Sequence, residues 1–258
     1  MRGPATRYQT TEGTYETIPE NPGIRRFVWE HVQNVNRILQ RMKYCGGTFS
    51  GKKSLVCAEE IEVLGHSCGF NGRVPSDDKV GTIMRWEKCD NLRDVRGFLG
   101  ITGVLRAYIP NFALRAHELQ KMTRKEVPFE WGPKQIEGMN MVKEGVKLAK
   151  ALQPIDYHGQ GAVVLAVDTS YIAVGFYIFQ EDAENPKLIY YPKFGSRNLN
   201  KCEARFSQPK RELFGLKEAL RLNKMWLFGA WKLIVETDAK YIKGMLDHPD
   251  MMPNAIIN

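Results

Sequence analysis

"GAVVLAVDTSYIAVGFYIFQ", residues Gly161–Gln180, decides how the second half of this chain is read. Gly161 to Val167 is a run of small and apolar side chains that ends at an acid, Asp168. Ile172, Val174, Phe176 and Ile178 then alternate with smaller or more polar neighbours, the period of a strand with one buried face. The stretch predicts two β-strands joined by a tight turn near Thr169 and Ser170. A lone carboxylate at the end of a buried strand is costly, so Asp168 needs a turn, a partner or a metal ion.

Downstream, "EDAENP" reads as a polar turn, followed by a third strand from Lys187 to about Gly195. Ser207 and Pro209 open a long helix that runs to about Phe228. Lys232 to Glu236 is another strand, and "DAKYIKGMLD" starts a further helix. The order is strand, strand, strand, helix, strand, helix, which predicts an α/β domain built on a mixed sheet.

Three acids stand where this pattern expects something apolar or neutral. Asp168 ends the first strand, and Asp238 closes the strand "KLIVETD". Glu212 lies in the first turns of the long helix and shares a stripe with Leu216 and Ala219. If the first and fourth strands are neighbours and the helix packs on them, the carboxylates converge at one end of the sheet. Converged carboxylates raise one another's pKa unless a cation intervenes, and hard oxygen ligands suit Mg2+ or Mn2+. Two such ions about 4 Å apart activate water and stabilise a leaving oxygen. Each acid also has a plainer reading: Asp168 as a turn former, Glu212 as a complement to the helix dipole, and Asp238 as a helix cap.

Upstream, the first 26 residues lack an apolar signal core and read as an extended polar arm. From Glu30 to Tyr44, residues Val32, Val35, Ile38, Leu39 and Met42 share one face of a helix that Gly46 and Gly47 end. "SLVCAEEIEVLGHSCGF" is strand-like around a turn at Gly65. Ser76 is expected to cap a helix through "DDKVGTIMRW", with Asp77 and Asp78 complementing its dipole. Asn91 and Asp94 resemble a capping box that opens "LRDVRGFLGITGVLRAYI", and Pro110 closes that helix. "FALRAHELQKMTRK" reads as one further helix. Pro133 starts another, running to about Ala151 and carrying Ile136, Met139, Val142 and Val146 inward. Trp86 and Trp131 read as core residues.

The 258 residues are 43% hydrophobic, enough for a sizeable core, and no run of eighteen apolar residues predicts a membrane span. A net charge of +8 favours a polyanionic partner such as nucleic acid, although a basic surface is also simply soluble. Five cysteines without a CxxC pair or a signal peptide fit a reduced intracellular protein, cytoplasmic or nuclear. His66 and Cys68 form an HxC, but no second pair stands at zinc-finger spacing.

"VLAVDTS", "IYYPKFGSRNLN", "FSQPKRELFGLKEAL" and "LIVETDAK" together resemble the ribonuclease H domain of reverse transcriptases from gypsy-class LTR retrotransposons. The resemblance continues upstream. "HVQNVNRILQRM", "TFSGKKSLVCAEEIEVLGH" and "GRVPSDDKV" look like the end of the polymerase palm. "NLRDVRGFLGITGVLRAYIPNFA" and "PFEWGPKQIEGMNMVKEGVKLAKALQPIDY" look like the thumb and the passage into ribonuclease H. These motifs cover most of the chain in family order, which is more specific than any one of them.

The resemblance implies five regions: an arm over 1–26, a palm tail with a primer-positioning hairpin over 27–74, a helical thumb over 75–127, a connecting helix and linker over 128–160, and a ribonuclease H-like domain over 161–258, incomplete at its C-terminus. Asp168, Glu212 and Asp238 are then the first three catalytic carboxylates and hold Mg2+ or Mn2+ in an incomplete two-metal site. Glu236 and Asp247 are not carried over, and Asp250 does not replace the missing fourth acid. Lys52, Lys53, Arg93 and Arg96 are expected to contact nucleic-acid backbone, as are Leu64, Gly65 and His66 of the hairpin. An equal alternative for the basic residues is a solvated face.

The polymerase's aromatic-x-Asp-Asp turn does not occur, so DNA synthesis by this chain alone is not expected. The implied activity is hydrolysis of the RNA strand of an RNA/DNA hybrid, weak or absent in a truncated chain. The implied partners are that hybrid or another nucleic acid and the rest of a Pol polyprotein. A module that binds nucleic acid without cleaving it is the second reading. "AVDTSYIAVG" alone also suits a sugar-kinase or actin-like ATPase, but no glycine-rich adenosine-binding segment follows.

Overall fold

In a computed structural model that describes residues 8–125, 127–238, 241, 242 and 244, the chain divides into two units. One runs to Ile61 and includes Cys68–Asn71; the other takes Glu62–Ser67 and the described residues from Gly72 onward.

In the first unit, strands β1 (Thr17–Ile18) and β2 (Asn21–Arg25) pair antiparallel, so the stretch expected as an extended arm carries a small sheet. Helix α1 (Arg26–Tyr44) follows directly. Arg26 ties its start to Glu16 at 2.8 Å, and the Tyr8 hydroxyl donates to Glu30 at 2.7 Å. Arg41 and Lys43 lie in the last turn, where the helix dipole favours cations. The expected apolar stripe is present but no residue of α1 is buried, and Val32, Ile38 and Leu39 stand exposed. Periodicity fixed the helix; it carried no information on whether anything covers that face.

Three short strands come next: β3 (Glu60–Val63), β4 (His66–Gly69) and β5 (Gly72–Pro75). Leu64 and Gly65 form the turn between β3 and β4, with φ of 52° and 76°.

The second unit opens with α2 (Asp77–Arg85), α3 (Leu92–Val104), α4 (Phe112–Arg115), α5 (His117–Met122) and α6 (Pro133–Lys147). Asn91 caps α3 as expected: its side chain accepts from the Asp94 amide at 3.0 Å and donates back to the Asp94 carboxylate at 2.9 Å. Ser76 occupies the N-cap position of α2 but makes no side-chain cap bond, its hydroxyl being buried instead. The helix expected to run to Pro110 ends at Val104, where Leu105, with ψ of 2°, leaves the α region, and a 3-10 turn, Arg106–Tyr108, follows. The single helix expected from Phe112 is broken at Ala116, whose ψ of 1° leaves the α region.

Helix α6 stops at Lys147 rather than Ala151, since Leu152 must be extended to exchange two backbone hydrogen bonds with Arg73, at 2.8 and 2.9 Å. Met139, Val142 and Val146 are buried, but Ile136 is exposed. Gly138 and Gly145 set the packed face of α6, because they let it close on Arg115 and Ile109. The core of this layer gathers Ile83, Phe98, Leu105, Tyr108, Leu119 and Val142, with Trp86 and Trp131 packed against it.

The second layer is a sheet of β6 (Val163–Thr169), β7 (Ala173–Glu181), β8 (Ile189–Asn198) and β9 (Leu233–Thr237), crossed by helix α7 (Gln208–Leu227). The strand order is β8-β7-β6-β9, antiparallel across the first three and parallel between β6 and β9. Strand β8 runs three residues past the expected end at Gly195, paired with β7 to Ala173↔Asn198. Val163, Leu165 and Val167 point to Leu216, Ala219 and Leu227 of α7 and form a second core with Val174, Phe176 and Ile178.

An ion network fastens α7 to the end of β8. Arg197 grips Glu203 through two nitrogens at 2.8 and 3.1 Å and reaches Glu218 of α7 at 3.5 Å, while Arg221 holds Glu218 at 2.9 Å. The architecture is mixed α/β, as the order of elements predicted. The helix expected after Asp238 lies largely outside the described residues, as do Asp247 and Asp250. Among the described residues no helix is long and apolar enough to cross a membrane.

Candidate acid site

Strand β6 is buried along its length with one exception, Asp168. Side chains alternate along a strand, so while Val167 and Thr169 face α7, Asp168 faces the other way, into a cleft of about 1020 Å³. Asp238, Glu236, Tyr177, Tyr191, Phe194, Asn111 and Lys150 also line this cleft. Strand β9 runs parallel to β6 with Ala166 opposite Glu236 and Val167 opposite Thr237. Asp168 and Asp238 are the next residues along, at the carboxyl ends of neighbouring parallel strands, where ligands of open α/β sheets gather.

Glu212 reaches the same end from α7. Its side chain is buried, and its carboxyl is pushed above the ordinary range by that burial first, then by the negative charges of Asp238 and Asp168. Arg211 opposes the rise, and the Thr169 hydroxyl opposes it least. Tyr241 belongs to this neighbourhood: its hydroxyl is pushed up by burial and then by Glu212 and Asp238. The structure thus brings the three sequence-predicted acids within electrostatic reach of one another. Among the described residues, no group of three or more His, Cys, Asp or Glu side chains is gathered tightly enough to hold a metal ion.

Close packing sets Glu212's position. At Gly215, one turn further along α7, a Cβ would run into the Thr169 side chain, so a glycine there lets the helix backbone come down onto the end of β6. Thr169 and Gly215 were not singled out in the sequence. The one available signal was a glycine inside an otherwise strong helical pattern, which points to a close approach.

The expected nucleic-acid residues fall into separate places. Lys52 and Lys53 are exposed on a short 3-10 helix of the first unit, Gly51–Lys53. In the second unit, Arg93 and Arg96 are exposed on the first turns of α3. Leu64 is 85% exposed at the hairpin tip. Beside it, Lys79 packs over Gly65 and donates to the Leu64 carbonyl at 2.8 Å. His66 shares a hydrogen bond of 3.0 Å with the Tyr108 hydroxyl, and its pKa is lowered by burial and then by Arg73 and Lys79. Lys79 and Tyr108 support the hairpin through contacts that no local pattern announces.

Residues 131–238 match the family described as the RNase H-like domain found in reverse transcriptase, a span containing Asp168, Glu212 and Asp238. The Tf2-3 and Tf2-4 transposon polyproteins of Schizosaccharomyces pombe are 23% identical over 224 residues, 86% of this chain. The chain spans about 16% of the length of those polyproteins. Among solved structures, the foamy viral protease-reverse transcriptase dRH in complex with double-stranded DNA superposes with a TM-score of 0.71 at 16% identity, over 89% of this chain and 40% of that one. A foamy viral protease-reverse transcriptase in complex with RNA/DNA hybrid gives 0.68 at 18% identity, over 89% of this chain and 31% of that one. At those identities the likeness is one of fold. Over residues 131–238 the likeness is to an RNase H-like domain of the kind found in reverse transcriptase.

Proposed function

We propose that this chain is a piece of a retroelement reverse transcriptase whose acid site hydrolyses the RNA strand of an RNA/DNA hybrid with Mg2+ or Mn2+. The observation that carries it is the placement of Asp168 and Asp238 at the ends of adjacent parallel strands, beside a Glu212 carboxyl pushed up first by its burial and then by both of them. The donor set fits a hard divalent cation, because all three groups are carboxylates and their mutual repulsion is what a cation relieves. Asp168, Glu212 and Asp238 would hold the ion. When bound, it supplies an activated water and stabilises charge on the leaving oxygen.

The protein's own contribution is positional. The strand ends hold two carboxylates at fixed separation, α7 brings the third, and the wall of Tyr177, Tyr191 and Phe194 shields one side of the cleft. Lys52, Lys53, Arg93 and Arg96 contact phosphates on this reading, and the Leu64–Gly65–His66 turn meets the duplex end. DNA synthesis is left to residues outside this chain, and the rest of a polyprotein is the expected partner. The place of action is intracellular.

The direct test is cleavage of a labelled hybrid by the full chain. Slow release of RNA fragments that requires Mg2+ and disappears in Asp168→Asn is the expected result. Cleavage that survives Asp168→Asn would remove the acid site from the chemistry.

The ungathered state of the acids favours a second reading, in which the chain binds nucleic acid without cutting it. Hybrid binding that persists without Mg2+ and is indifferent to Glu212→Gln, with no cleavage, would select it. A steep fall of affinity with salt is expected on both readings.

A further inference from the structure

Thr169 is the last residue of β6 and turns its side chain onto α7, opposite to Asp168. Its hydroxyl sits against Gly215, and Glu212 lies three residues earlier on the same helix, on the face that meets the strand. Thr169 is 5% exposed and Glu212 7%. The Thr169 Oγ1 is fully buried and makes no hydrogen bond of good geometry among the described residues. It nevertheless lies close enough to Glu212 to favour that carboxyl's charged form.

A buried hydroxyl without a partner is uncommon and demands a reason. Packing does not supply one, because valine has nearly the same shape and no polar atom to strand. Glu212, three residues before Gly215 on the same helix, is a buried carboxylate able to accept from such a hydroxyl. We propose that Thr169 is a positioning residue for Glu212: its hydroxyl donates to one carboxylate oxygen and leaves the other directed to the end of β6 and β9, where Asp168 and Asp238 stand. The inference rests on the reading of these three acids as ligands of a divalent cation. Hydrogen-bonded neighbours of ligating carboxylates fix their orientation, and their loss commonly weakens metal binding by about 10–100-fold.

The experiment measures Mn2+ affinity of the full chain, by titration calorimetry and by the electron paramagnetic resonance of free Mn2+. Wild type is compared with Thr169→Val, which keeps the shape and loses the hydroxyl, and with Thr169→Ser, which keeps the hydroxyl. Thr169→Val should weaken Mn2+ binding by about tenfold or more with an unchanged or higher melting temperature, and Thr169→Ser should retain most of the affinity. Equal affinity in wild type and Thr169→Val overturns the positioning role, and so does an equal loss in both variants. A wild type that binds no Mn2+, or whose binding is untouched by Asp168→Asn, overturns the underlying metal reading and this inference with it. The two failures are therefore distinct.

Discussion

Asp168 and Asp238 stand side by side, each one residue beyond the last registered pair of two parallel strands, Val167↔Thr237. Neighbouring strands lie about 4.8 Å apart, so two negative charges close the same end of the sheet. The buried Glu212 responds to both, more to Asp238 than to Asp168. Replacing Asp238 by Asn should therefore bring the Glu212 carboxyl back toward its ordinary range, and Asp168→Asn should do so by a smaller step. Carbon-detected NMR titration of the Glu212 carboxyl reads both. A titration indifferent to either change would mean the three acids do not share one field.

Gly215 is the contact that lowers α7 onto β6. A methyl group there meets the Thr169 side chain, and overpacking of this kind costs about 1–3 kcal/mol. Alanine's better helix propensity returns at most about 1 kcal/mol. Gly215→Ala should thus lower the midpoint of chemical denaturation, and adding Thr169→Ala should recover much of the loss. Gly215→Ala with undiminished stability would show that the helix can lift off the strand freely.

The sequence made some of this legible and hid the rest for physical reasons. Strands β6 and β7 were readable because alternation is local, and Asp168 stood out as an acid at the end of an apolar run. The neighbouring of β9 and β6 was a condition of the sequence reading, and their parallel pairing meets it. Contacts between elements left no such trace. The Thr169–Gly215 approach, the Lys79 side chain over Gly65 and the Leu152–Arg73 bridge that ends α6 early each join residues whose proximity exists only after folding. Ile136 shows the same limit, since it fits the helical stripe and is exposed.

The pH dependence of stability follows from Glu212. Its folded-state pKa is raised, chiefly by burial, above the ordinary 4.5. Between those two values the folded chain holds a proton that the unfolded chain has lost, so stability falls as pH rises through that window and is level above it. Glu212→Gln cannot lose the proton. The variant should show none of this decline and should exceed the wild type in stability above the window, while losing any metal-dependent cleavage. Denaturant midpoints taken from pH 4 to pH 8 provide the check; parallel curves for the two proteins would contradict the burial account.

Leu64 adopts φ of 52° and Gly65 φ of 76° in the two-residue turn between β3 and β4. Turns with positive φ at both central positions favour Asn-Gly, because asparagine tolerates the left-handed region and a branched apolar side chain does not. Leucine there costs about 1 kcal/mol or more, and it offers no burial in return, being 85% exposed. Strain kept at an exposed tip is what a binding role would explain. Leu64→Asn should therefore raise stability by about 1 kcal/mol, since the Lys79 ammonium bonds only the backbone carbonyl of Leu64 and that bond survives the change. Hybrid affinity should fall in the same variant, because the side chain that would meet the duplex is gone. Opposite signs for stability and affinity are the signature sought. A gain in stability with unchanged affinity would take Leu64 out of the nucleic-acid contact, and a loss of stability would refute the strain argument.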